Sequence, residues 1–523
     1  MKDMLTLYGD KVNGVLSGWD RIRFRGTIRW LASAKGLGSY LGNHGLLLKD
    51  FGDWANALTL KIRQACALQA EKLGIPIKYE KRSGVDKNEW AHQIARERGV
   101  DTGDICMFSV LETCIAPLIK GNRATQKLEL YMGTRKCVFI YHYWNDPVLG
   151  FGHTRLQTWL PFSATICING RHWLERQLLQ EEIDYMKDGN CFPYIANMAR
   201  AQQLLDEQLQ VNWPKLLNGL VARHCPVLHS LFGRTPLDYY WSADETEWAS
   251  DILFRSTTDL DRLIPSLVRF GLVSAQSPVV LRFLGRKVSG ATIRGRLPDE
   301  ITSDVKHRYE GVRLKHWVNK NSLKAYNKAG NSFRLEATIN NTRDFKVFRH
   351  PDDDKRRPAS WQKMRKGVSD LHRRAQVSQA CNQRYAEHLA AAFSSETLQP
   401  CAADISSRIR QNGRTYRALN PWAVDDFKML QFVSRGENQI NGFRNRDLRQ
   451  CLYPASATET SLVEVRKASG RVTRKIQILR AHGLVRKVSR TTRYVLTPKG
   501  QKIITAILAA SAADIQRLME KTA

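Results

Sequence analysis

The strongest constraint on the fold is the order of apolar patterns in the last hundred residues. Residues 423–433 (AVDDFKMLQFV) put Val424, Phe427, Leu430 and Val433 on one helical stripe, after an acidic first turn at Asp425 and Asp426 that suits the positive end of a helix. Gly436 ends that helix, 440–443 is a short extended piece, and 444–452 forms a second helix that stops before Pro454. Residues 460–482 form a long amphipathic helix, with Val465, Val472, Ile476 and Leu479 toward a core and Arg466, Lys467, Arg471, Arg474 and Lys475 outside. Gly483 caps it. Strands at 484–488 and 493–496 flank a basic tip, Ser489-Arg490-Thr491-Thr492, and Pro498 opens a closing helix. Order and spacing predict a winged helix-turn-helix.

Between Asn441 and Lys502 stand fifteen Lys or Arg against three acids. Such a face attracts phosphates whatever the base sequence, while base edges are read by a few side chains of the inserted helix. Arg466, Arg471, Arg474 and Lys475 are the groove candidates, Arg490 and Arg493 belong to the wing, and Arg444 and Arg446 add to the same basic face. The bland alternatives are a protein–protein module or a merely solvated basic surface.

Across 523 residues the chain carries 81 basic and 50 acidic side chains, a net +31 that implies a polyanionic partner. DNA is the expected partner, with RNA open as the other polyanion. No apolar run approaches a membrane span, and Asp3, Asp10 and Asp20 interrupt the first twenty residues, so a cytoplasmic protein without a membrane partner is expected. Ten cysteines without a C-x-x-C pair read as buried thiols, and no H-E-x-x-H accompanies the thirteen histidines.

The expected fold class is α+β and multidomain. An N-terminal α+β unit covers 1–235, a central mixed or antiparallel sheet unit 236–350, a basic segment with a helix and linker 351–419, and the winged helix-turn-helix 420–523. Within these, 226–236 reads as a seam, 394–412 as a linker, and no internal repeat is visible. The closing helix at 498–518 could pair two copies into a homodimer or cap its own core.

One hairpin suggests chemistry. Alternation puts Lys324, Tyr326 and Lys328 on one face of a strand, and Arg334, Glu336 and Thr338 on one face of the next. The segment resembles the K-x-Y-[DN]-K … R-x-E stretch of rolling-circle replication initiators. That resemblance implies Tyr326 as a nucleophile on a DNA phosphodiester and Glu336 as a ligand of Mg²⁺ or Mn²⁺ or a base. Cations beside the phenol would lower its pKa and neutralise the phosphate. The initiators' His-hydrophobe-His triplet is missing; Tyr141-His142-Tyr143 and His153-Thr154-Arg155 are weak stand-ins. The bland reading is that Lys/Tyr and Arg/Glu cross-strand pairs stabilise a sheet face.

Three further clusters are candidates. In WDRIRFRGTIR, Arg21, Arg23 and Arg25 alternate with apolar residues and could meet phosphates. Tyr143, Trp144, Phe151 and Trp159 could be a stacking platform or core. Glu245, Glu247 and Asp251 would share a strand face, as solvated acids or as metal ligands. The whole chain resembles an uncharacterised family of multi-copy bacterial proteins of mobile-element type, through WDRIRFRGTIR, YHYWNDPVLGFGHTRLQTWLPF, EGVRLKHWVNKNSLKAYNK and INGFRNRDLRQCLYP. That likeness implies transposition, replication or recombination of such an element. The alternative is a noncatalytic winged-helix regulator or a structured-RNA-binding protein.

Overall fold

The computed structural model describes residues 8–81, 84–233, 235, 237–275, 277–285, 301–308, 311–351, 356–390, 398–411, 413–435, 438, 442–454, 462–488 and 491–511. The fold is α+β, and the chain divides into two compact units. One joins Tyr8–Pro265 to Asp304–Asn382; the other joins Met1–Leu7 and Ser266–Ser303 to Gln383–Ala523.

The first unit is built on one eleven-stranded sheet. Its strands are β1 (Val12–Ile28), β2 (Ile77–Glu80), β3 (Gly103–Asn122), β4 (Lys127–Asp146), β5 (Gly150–Gln157) and β6 (Ala164–Asn169), then, after a separate hairpin β7 (Tyr185–Asp188) and β8 (Cys191–Ile195), β9 (Tyr239–Phe254), β10 (Thr302–Arg308), β11 (Gly311–Val318), β12 (Asn321–Lys328) and β13 (Ser332–Ile339). The spatial order is β10-β11-β12-β13-β9-β1-β6-β5-β4-β3-β2. The seam expected at 226–236 is therefore not a boundary between sheets. β9 emerges from it and pairs along β1 from Val12↔Phe254 to Ile28↔Tyr239. Strands assigned separately to 1–235 and 236–350 share one sheet because β1 pairs with β6 along one edge and with β9 along the other, its face fixed by alternation: Ile22 and Phe24 are buried while Arg21, Arg23 and Arg25 stay exposed.

The sheet repeats itself, which the sequence did not reveal. β1 is followed by helices and then by the meander β3-β4-β5-β6, whose last strand returns to β1. β9 is followed by helices and then by β10-β11-β12-β13, whose last strand returns to β9. The antiparallel pairing of β1 with β9 relates the halves by a local two-fold axis. Taking the pair Ile22↔Thr246 as its centre puts Arg21↔Glu247 and Arg23↔Glu245 on either side. Stepping outward through the registers, Ile168 meets its counterpart Ile339 and Trp144 its counterpart Val318. Two residues earlier in β4 and β11, His142 and His316 occupy equivalent, fully buried positions.

Helices cover the sheet where its side chains are apolar. The helix Trp213–His224 brings Trp213 within 4.9 Å of Phe24, ring centroid to centroid. The helix Leu371–Ala390 reaches β9 through Asn382, whose amide donates to the Trp248 carbonyl at 3.1 Å and the Leu335 carbonyl at 3.0 Å. Among the described residues no helix is long and apolar enough to cross a membrane.

In the second unit, helices Val424–Val433, Asn445–Leu452 and Leu462–Ala481 precede strands Val485–Lys487 and Tyr494–Leu496, and the helix Pro498–Ser511 follows. Phe443 bridges Tyr494. Met429, Leu430, Phe432, Val433, Leu448, Val472, Ile476, Leu479, Ile504 and Ile507 form their common core. The first helix buries Leu430 and Val433 of the expected stripe and half-buries Phe427, but Val424 is exposed, and Met429 and Phe432 are also inside. The expected linker 394–412 also contains structure, a helix Leu398–Ile405 and a strand Ile409–Gln411 paired with Arg414–Tyr416. Gly436, Ile440, Ser489 and Arg490 lie outside the described residues.

Candidate functional sites on the sheet and in the C-terminal unit

The two candidate strand faces coincide. β12 and β13 pair with Lys324↔Glu336, Tyr326↔Arg334 and Lys328↔Ser332. The Tyr326 hydroxyl donates to Glu336 Oε2 at 2.9 Å, and the Lys324 ammonium bonds Glu336 Oε1. Arg334, on the same face, reaches across to β9 and is fully buried. Its Nε and Nη2 donate to Asp251 Oδ1 at 2.5 Å and Oδ2 at 2.9 Å, and Nη2 also donates to the Asn190 carbonyl at 2.7 Å.

Neighbouring strands extend these contacts into a network. Arg171, at the start of the helix Gly170–Gln180, donates to Asp251 Oδ2 at 2.9 Å. Asp20, the extra residue where the β1–β9 register shifts, lies 3.5 Å from Arg334 and accepts from Asn190 at 2.7 Å. Glu247 lies 3.7 Å from Lys324 and 3.1 Å from Arg21. Four carboxylates (Asp20, Glu247, Asp251, Glu336) thus face four cations (Arg21, Arg171, Lys324, Arg334). The set is neutral.

Burial decides the state of the phenol. Burial, and next the Glu336 carboxylate, push the Tyr326 pKa well above its ordinary value. Glu336 would be raised by burial, but Lys324 holds it below the ordinary carboxylate range. The expectation that surrounding cations would lower the phenol pKa is therefore reversed: Arg334 pulls it down, but burial and the Glu336 carboxylate outweigh that pull. Both Glu336 oxygens are occupied by Lys324 and Tyr326. Among the described residues no group of three His, Cys, Asp or Glu side chains is arranged to hold a metal.

The histidines of the stand-in segments sit elsewhere. β5 and β12 are five strands apart in the sheet. His142 packs inward with Nε2 at 2.8 Å from Asp104, and burial, then Arg155, pushes His153 down to about 4. Lys328 lies on the Tyr326 face at the end of β12.

The remaining sheet candidates are also accounted for by protein contacts. Arg21, Arg23 and Arg25 lie 3.1, 3.0 and 3.8 Å from Glu247, Glu245 and Asp244, so the acids of β9 are the counter-charges of β1. Tyr143, Trp144 and Trp159 are buried in the core and do not form a platform. A second phenol–carboxylate–cation group was not legible in the sequence. Tyr141 donates to Glu112 Oε1 at 2.7 Å, and Arg155 Nε donates to the Tyr141 hydroxyl at 2.9 Å and to Glu112 Oε2 at 3.1 Å. Arg155 occupies the position equivalent to Lys324 in the other half of the sheet, and no local motif joins residues so far apart in sequence.

The C-terminal unit presents cations differently. On the helix Leu462–Ala481, Arg466, Arg471 and Arg474 are exposed, whereas Lys475 is mostly covered and lies 3.5 Å from Asp425. Arg444, Arg446, Arg449 and Lys487 line a cleft together with Asn445, Ser469, Thr473, Ile476, Thr492 and Tyr494. The cleft is held by polar contacts between the two helices. Asn445 Nδ2 donates to the Ser469 carbonyl at 3.0 Å and to Thr473 Oγ1 at 2.8 Å, and Ser469 Oγ donates to Asn445 Oδ1 at 3.0 Å. Asp447 caps the second helix by accepting from the Arg444 backbone N–H at 2.9 Å. Arg493 Nη1 donates to the Gly442 carbonyl at 3.1 Å, which ties the hairpin to the segment before that helix.

No family model, no curated protein and no solved structure matches the chain.

Proposed function

We propose that this is a nucleic-acid-binding protein whose residues 420–511 form a winged helix-turn-helix that docks on duplex DNA. The helix Asn445–Leu452 and the helix Leu462–Ala481 are the helix-turn-helix pair, and the hairpin Val485–Lys487/Tyr494–Leu496 is the wing. One observation carries the reading. The cleft between these three elements is lined by Arg444, Arg446, Arg449 and Lys487, beside a helix that exposes Arg466, Arg471 and Arg474. A phosphate backbone in that cleft would gain charge-assisted hydrogen bonds from guanidinium groups. It would place the exposed arginines at a groove, where guanidinium forks read guanine edges.

The setting proposed is site recognition in the replication or recombination of a mobile element, which follows from the resemblance quoted above. Within it, the noncatalytic form is favoured over strand cleavage by Tyr326. The specific reason is the protonated, hydrogen-bonded phenol and the fully engaged Glu336.

The test is fluorescence anisotropy of the full chain on labelled duplex DNA over a salt series. Submicromolar to micromolar binding that weakens steeply with salt is expected, since non-specific sites of this kind have Kd of roughly 10⁻⁴ to 10⁻⁶ M and specific ones are tighter. Arg466→Gln/Arg471→Gln/Arg474→Gln should weaken binding and flatten sequence preference. Binding that ignores salt, or that structured RNA displaces while duplex DNA does not, would overturn the reading.

A further inference from the structure

The strand pair Ile409–Gln411 and Arg414–Tyr416 stands in a stretch whose composition reads as a linker. It forms a closed antiparallel hairpin with Ile409↔Tyr416, Arg410↔Thr415 and Gln411↔Arg414 opposite one another. The turn is completed by Gly413 at φ +73°, a left-handed backbone that glycine adopts without strain.

Its base is fixed to the same core as the proposed reading helix. The Leu419 N–H donates to the Ile405 carbonyl at 2.9 Å, and Ile405 and Leu419 are buried with Val472, Ile476 and Leu479. The His482 ring, just past the end of the long helix, bonds the Arg417 carbonyl at 3.0 Å. The Arg417 guanidinium forks onto Asp426 at 2.8 and 2.6 Å. The first strand lies beside the helix Leu462–Ala481. A hairpin anchored in this way is a rigid projection of the domain and not a tether.

Its charge is of one sign. Between Arg408 and Arg417 there are four arginines and no acid. Arg417 is committed to Asp426, but Arg408, Arg410 and Arg414 are exposed and have no ion-pair partner among the described residues. On the sheet of the other unit, by contrast, each of Arg21, Arg23 and Arg25 has a carboxylate opposite. The register sets Arg410 opposite Thr415 on one face of the hairpin and Arg414 opposite Gln411 on the other, so the ribbon carries uncompensated guanidiniums on both faces, and a polyanion laid along it would neutralise them.

We propose that the 408–417 hairpin is a second backbone-gripping arm of the DNA reader, contacting phosphates through Arg408, Arg410 and Arg414. This rests on the winged-helix reading and extends it. The domain would hold the duplex with two hairpins on one core, and the additional arm would lengthen the contact without reading bases. Phosphate contacts of this kind set affinity and register and leave sequence preference unchanged.

The experiment compares three full-length proteins on one duplex over a salt series: wild type, Arg408→Gln/Arg410→Gln/Arg414→Gln, and Arg408→Lys/Arg410→Lys/Arg414→Lys. Each lost phosphate contact should reduce the slope of log affinity against log salt by about 0.9, so the glutamine protein should lose about two to three units of slope. It should bind about tenfold or more weakly at low salt and keep its preference among DNA sequences. The lysine protein, which retains the charge, should keep the wild-type slope, and this separates lost charge from lost fold. Unchanged affinity and slope in the glutamine protein, with wild type binding DNA normally, would overturn the arm and leave the winged helix standing. A wild type that does not bind duplex DNA would overturn both, and it would show in the first titration.

Discussion

Arg334 is where the central strands of the sheet converge, with Asp251 and Asp20 as its counter-charges and no solvent to share the load. Replacing it with methionine leaves Asp251 facing Arg171 alone and Asp20 short of a partner. A loss of about 3–5 kcal/mol of stability is expected, because removing one member of a buried pair strands the other, and urea unfolding monitored by fluorescence measures it. Tyr326→Phe should behave oppositely. It costs on the order of 1 kcal/mol for one hydrogen bond and should leave DNA affinity untouched; a covalent DNA adduct formed by wild type and lost in this variant would restore the nucleophile reading. Acid sensitivity follows from histidines that the fold keeps neutral. Burial pushes His153 and His316 down to about 4, so their neutral forms belong to the folded state. The stability they contribute is complete above about pH 6.5, where the unfolded imidazole is also neutral, and is lost progressively as pH falls toward 4. A urea midpoint that stays flat between pH 7 and 4.5 would contradict this. At this scale the sequence was informative about identity and face. Strand alternation placed Lys324, Tyr326 and Glu336 together, but the charge state of the phenol depended first on burial, which no local pattern foretells.

Among the elements, the strand-to-helix junction after β6 has little freedom. A β-carbon on Gly170 would lie 2.0 Å from the Trp19 carbonyl oxygen, which belongs to backbone at the β1 irregularity and cannot rotate away. Gly170→Ala should therefore destabilise the first unit by about 1–3 kcal/mol, and a thermal melt within a degree of wild type would show that the junction yields. Elements whose signal is local were legible. The helix Lys87–Arg98 begins after Asp86, whose carboxylate accepts from the Asn88 and Glu89 N–H groups, and ends at Gly99 in the left-handed region, and its bounds follow from those residues. The helices of the C-terminal unit were legible for the same reason, through 3.6-residue periodicity, although the first buries Met429 and Phe432 instead of Val424. Strands of three residues such as Ile409–Gln411 carry too few alternations to be recognised, and their polar composition reads as linker.

For the whole molecule, the excess of cations and the neutral ion network have to be reconciled. A chain of net +31 devotes this central ion network to balanced charge, so the surplus must lie on other surfaces. The union of β1 with β9 was hidden because it joins segments more than two hundred residues apart, and the repeat was hidden because its halves share topology and register while keeping few identical side chains. The seam at the pseudo-axis has a further consequence. One half contributes Arg21 and Arg23 and the other contributes Glu245 and Glu247 at the related positions. Two identical edges brought together there would oppose arginine to arginine or glutamate to glutamate, and would repel. The sign difference makes the join a lock that accepts only the unlike half. It steers a nascent chain toward closing on itself instead of on a neighbouring copy.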